Sequence, residues 1–101
     1  MADKHILDEV GPVEFFAELT ALHGVKRGAE IAGYALLWGA ADLKDRPEIV
    51  DWMKAQGVSQ ATAYRVVGDF AAFLRHLEIA HGWHGSVRDL AREIGGLAFS
   101  Q

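Results

Sequence analysis

Apolar residues along this chain recur three and four positions apart, the spacing of a helix face. No segment alternates apolar and polar residues between turn signals as a half-buried strand does. VEFFAELTAL, Val13 to Leu22, places Phe15, Phe16, Leu19 and Leu22 on one face, and Pro12 suits the first turn of a helix. HGVKRG reads as a break. AEIAGYALLWGAADL, Ala29 to Leu43, is apolar nearly all round, which predicts the most buried helix. Gly33 and Gly39 weaken that helix but allow close packing. PEIVDWMKAQ, Pro47 to Gln56, is a short helix ending at Gly57, where a left-handed residue is wanted. Ser59 then suits the cap of a helix from Gln60 to about Ala80. On it Ala63, Val67, Phe70, Leu74 and Leu77 form one stripe, widened by Val66 and Phe73. HGWHG breaks the chain again. SVRDLAREI, Ser86 to Ile94, opens with a capping-box signal. Gly95 and Gly96 are expected to end it, leaving GLAFSQ as a loose tail. The pattern predicts one all-α domain over residues 1–101, of about five helices.

The stretch GVSQATAYR, Gly57 to Arg65, carries the functional signal. A glycine lets the chain turn sharply between two helices without Cβ strain. Val58 tucks between them, and Ala63 and Val66 face inward. At about 100° per residue, Ala61, Tyr64, Arg65 and Gly68 then fall on the outer face, with Gln60 at its margin. That is the arrangement of a helix-turn-helix, within residues 47–77, whose second helix offers its first residues to the DNA major groove. Ala29 to Leu43 is the expected packing helix of a three-helix core, with flanking helices at both ends.

GVSQATAYRVV resembles the recognition-helix segment of helix-turn-helix regulators and is similar to that of the lac repressor family. Gly57, Val58, Ser59, Thr62, Arg65, Val66 and Val67 carry the likeness, which spans about a quarter of the chain. The resemblance implies that Ser59 caps the helix and meets a phosphate. It also implies that Gln60 and Ala61 face bases, that Thr62 approaches the backbone, and that Arg65 reads a base edge or a phosphate. Chemistry adds that Gln pairs with adenine and Arg with guanine, while Tyr64 and Lys54 suit phosphate contacts. The family's small residue in the middle of the first helix is Met53 here. Its motif stands ahead of a ligand-binding domain, whereas this one is central.

Composition changes the picture only in part. The chain has 101 residues and no cysteine, which excludes a disulfide scaffold, thiolate catalysis and cysteine-held metal. No apolar run approaches a membrane span of roughly 18 residues, and MADKHILDEVGP lacks a signal-peptide core. A soluble, cytoplasmic protein is the expectation. The net charge of −4 argues mildly against nucleic acid. Its distribution says more. Met1 to Glu18 holds five acids against Lys4, whereas Trp52 to Leu77 holds Lys54, Arg65 and Arg75 against Asp69 alone.

Other motifs compete weakly. LAREIG, Leu90 to Gly95, resembles the first helix of a helix-turn-helix, but six residues are too few for a second. His76, His81 and His84 cluster in sequence around two helix-breaking glycines, which suits a polar loop better than a metal site. There is no phosphate loop and no hydrolase or metalloprotease motif, so neither an enzyme nor a cofactor is expected. The stripe on the long helix reads as core, with pairing to a second copy through Phe73, Leu74, Leu77 and Ala80 as the alternative. Ile79 falls on the outer face. The expected partner is double-stranded DNA, bound as a homodimer by a small bacterial or phage transcriptional regulator. The alternative is a helical protein-interaction module that keeps the helix-turn-helix as scaffold.

Overall fold

The computed structural model describes the backbone of residues 10–99 and the side chains as far as Ile94. The first half of the acidic stretch Met1 to Glu18 (residues 1–9) and the last two residues of the tail lie outside the described residues. Among the described residues five helices are delimited: α1 (Pro12–His23), α2 (Val25–Ala40), α3 (Arg46–Ala55), α4 (Gln60–His81) and α5 (Val87–Phe99). There is no strand among the described residues.

α4 runs through the middle of the core. Its Ala63, Val66, Val67, Phe70, Phe73 and Leu77 are buried, so the stripe is core, as its spacing predicts. Phe73 and Leu77 lie wholly inside and offer nothing to a second copy. Around α4 the other helices contribute aromatic contacts. Phe15 of α1 meets Phe73 edge-on at 5.2 Å, and Trp38 of α2 meets Phe70 edge-on at 5.1 Å. On α1, Phe15 and Leu19 are buried, but Leu22 is 47% exposed and leaves the expected face.

Four further boundaries or faces differ from expectation. HGVKRG is not a loop: Gly24 alone breaks the helix, at φ +87°, and α2 begins at Val25. Lys26 and Arg27 therefore stand on the first turn of α2. That helix ends at Ala40 rather than Leu43, because Asp42 takes φ +58° and is held there by Arg88 and Arg92 of α5. Aspartate tolerates that conformation better than most side chains. Nor is α2 buried all round. Ala29, Gly33, Leu37 and Ala40 form an exposed strip, and apart from Leu37 these are small residues that expose little apolar area. Finally, α5 continues through Gly95 and Gly96 to Phe99, so most of GLAFSQ is helical. Glycine costs about 1 kcal/mol in a helix interior without forbidding it, and extension needs no new nucleus.

α2 packs against α4, as a helix-turn-helix core requires, but more extensively against α5. The reason is Gly39. A Cβ there would stand 2.9 Å from the Ala91 carbonyl oxygen, so only glycine lets the two backbones approach so closely. Ser86 and Asp89 cap α5 reciprocally: each backbone N–H donates to the other's side chain, at 2.9 and 3.1 Å.

The outer end of α4 is tied to α1 through a shared carboxylate. Glu18 meets His76 Nε2 at 2.8 Å and His81 Nε2 at 2.9 Å. His84, the third histidine of the sequence cluster, turns instead to Glu78. Among the described residues no group of three or more His, Asp or Glu has the arrangement to hold a metal ion. Burial works to raise the Glu18 carboxyl, but the hydrogen bonds and charges of His76 and His81 outweigh it and hold it below its ordinary value of 4.5. A depressed carboxyl stabilises the fold fully above its unfolded pKa and loses that contribution as pH falls through the folded one. Glu18→Gln is therefore expected to be less stable than the wild type near neutral pH, with the gap closing below pH 4.5. Denaturant midpoints across an acid series check this; a gap that stays constant into strong acid would refute it.

Candidate nucleic-acid interface

The connection between α3 and α4 spans residues 56–59 and is closed by backbone bonds. Gly57 takes φ +93°, its N–H donates to the Lys54 carbonyl, and the Val58 N–H donates to the Met53 carbonyl, both at 3.0 Å. This double closure is the glycine-terminated helix end anticipated at Gly57. Ser59 then starts α4 in extended conformation, and its Oγ accepts the Thr62 N–H at 3.2 Å. The Ser59 and Thr62 hydroxyls also bond to each other at 3.0 Å. Beneath the turn Met53 is fully buried and Val58 is half-buried against the core. The larger side chain at position 53 thus sits in the core under the connection.

The sequence-derived site residues are accessible. Lys54, Ser59, Gln60, Ala61, Tyr64 and Arg65 are exposed, and Thr62 is half-buried. Tyr64, at 57% exposure, is among the most exposed large side chains. Gly68 is exposed as well, while Ala63, Val66 and Val67 are buried. The first two turns of α4 therefore leave Gln60, Ala61, Tyr64 and Arg65 open.

These residues divide between two sides of α4. Tyr64 and Gly68 border an open groove of about 420 Å³ shared with α3, where Arg46, Pro47, Val50 and Asp51 line the far wall. Arg65 turns the other way, toward α2. Its guanidinium makes two hydrogen bonds to the Glu30 carboxylate, at 2.9 and 3.1 Å, and stands 3.8 Å from Asp69. The Glu30 hydrogen bonds raise Arg65 above the usual arginine range. Arg27 holds Asp69 through both its oxygens, at 2.6 Å and above. Lys26, Arg27, Glu30 and Arg65 enclose a second depression, of about 310 Å³.

Arg65 is thus accessible but not idle: Glu30 already takes two of its five N–H donors. Sequence reading misses three cations near α4: Lys26, Arg27 and Arg46. The first two stand in the segment that reads as a break, and Arg46 directly precedes the helix that reads from Pro47. The acidic residues Glu30 and Asp51, one in each depression, are equally invisible without the tertiary arrangement.

Comparison with family models, with curated proteins and with solved structures finds no match for the chain. No helix among the described residues is long and apolar enough to cross a membrane.

Proposed function

We infer that this chain is a non-enzymatic, sequence-specific DNA-binding protein, a small transcriptional regulator of bacterial or phage type acting in the cytoplasm. The observation that supports the reading is the open first half of α4. A rigid, doubly closed turn delivers it, a serine caps it, and its exposed face carries Gln60, Ala61, Tyr64 and Arg65. In this reading α4 lies in the major groove. Gln60, Ala61, Tyr64 and Arg65 read or touch bases, and Ser59, Thr62 and Lys54 position on phosphates. Binding acts by occupancy. One such module makes few base contacts, so a homodimer on a two-fold site is the expected working form.

The test is selection of the protein on a random duplex library at near-physiological salt. An enriched motif is expected, and its symmetry reports whether two copies bind. Absence of any enrichment would sink the reading.

A second reading has one observation in its favour. The groove between α3 and α4 is walled by Pro47, Val50 and Val67 beside Tyr64, with Asp51 at its edge, which suits an apolar peptide segment. Salt separates the two. DNA affinity falls steeply as salt rises, because each neutralised phosphate releases counterion, while an apolar protein contact changes little.

A further inference from the structure

A helix lying in the major groove has a phosphate backbone on each side of it. α4 is flanked to match. At about 100° per residue, Tyr64 and Asp69 stand about 140° apart around its axis. Tyr64 borders the groove that α4 shares with α3. Asp69 takes Arg27 of α2 on the opposite flank, where Arg65 borders the depression lined by Lys26 and Glu30. The exposed part of α4 therefore has the start of α3 on one side and the first turn of α2 on the other.

Both flanks carry cations. Lys26 and Arg46 are exposed, and among the described residues neither forms an ion pair. Arg27 and Arg65 do have partners, but these are the carboxylates of Asp69 and Glu30, gripped through both oxygens. The same two-pronged geometry accepts phosphate. The flank on α2 is thus an anion site in geometry, filled by the protein's own side chains.

We propose that Lys26 with Arg27 on α2, and Arg46 at the start of α3, are a pair of phosphate clamps that grip the two DNA backbones on either side of α4. The proposal rests on the DNA reading of α4 and adds its two flanks. Backbone contacts carry no sequence information. Lys26→Ala and Arg46→Ala are therefore expected to weaken binding alike on a library-selected duplex and on an unrelated duplex of the same length. Each should lower the slope of log affinity against log salt by about one, with the preferred motif unchanged. Lys26→Arg should keep the wild-type slope. Both altered residues are exposed and, among the described residues, form no ion pair, and circular dichroism is the check that the variants fold.

A wild type that selects a motif, with either alanine variant keeping the full slope, overturns the two-sided clamp and leaves the reading of α4 standing. A change of preferred motif in either variant overturns it too, since a clamp reads no base. A wild type that binds neither duplex overturns both.

Discussion

Trp38→Ala is expected to lose about 3–5 kcal/mol of stability. Trp38 is fully buried, packs edge-on against Phe70 of α4 and stacks on Tyr34 at 6.0 Å. It is the largest side chain at the junction of α2 with α4, and its neighbours sit on helices that cannot collapse into the space. A domain of this size holds about 5–15 kcal/mol in total, so the loss is a large share of the whole. Trp38→Phe should behave differently. Among the described residues the indole Nε1–H is buried without an acceptor, and such a donor costs about 1–3 kcal/mol. Phenylalanine removes that burden along with part of the ring, and the two effects oppose. Urea midpoints of the two variants check the pair. A loss under about 1 kcal/mol for alanine would mean that the site closes up far better than close-packed cores do.

Arg65→Ala is expected to cost about 1–3 kcal/mol of DNA affinity and to relax preference at one base pair. Equal binding of variant and wild type would remove Arg65 from the interface. The structure adds a companion variant. In the free protein Glu30 takes two of the guanidinium's N–H donors, so a two-pronged contact of Arg65 with DNA through those donors competes with that carboxylate. Glu30→Gln weakens the competitor and removes a negative charge beside the groove, and tighter binding is the expected result. If Arg65 serves only to tie α4 to α2, Glu30→Gln tightens every duplex alike through the lost charge and leaves the preference among single-base variants unchanged. The pair is partly exposed, at 41% and 30% for the two side chains, and such pairs contribute about 0–1 kcal/mol to folding. Both variants should therefore fold, and dissociation constants on the selected duplex and its single-base variants report the interface itself.

Local rules carried far along this chain. Helix existence followed from the three-four spacing, and the best-read elements were those with local punctuation. Gly57, Ser59 and the Ser86–Asp89 pair act within a few residues of themselves, so their hydrogen bonds are specified by neighbours in sequence. The exposed positions of α4 followed equally from its periodicity, because burying Ala63, Val66 and Val67 leaves Ala61, Tyr64 and Arg65 outside.

What failed was whatever depended on a second helix. Ala29 to Leu43 reads as uniformly apolar, yet part of that impression comes from small residues that face outward at little cost. Its end was moved by Asp42, whose left-handed conformation is held by two arginines nearly fifty residues away. Its main packing partner was decided by Gly39 against Ala91.

By itself, then, the sequence determined an all-helical chain, the sharp turn at Gly57 and the open face of α4, since periodicity and capping are short-range. Only the tertiary structure decided that Arg65 is held by Glu30, that Lys26 and Arg46 stand on opposite flanks of α4, and that Glu18 joins His76 to His81. Those pairings join residues far apart in the chain. Their geometry is set by how closely the helices approach, and no local pattern encodes that distance.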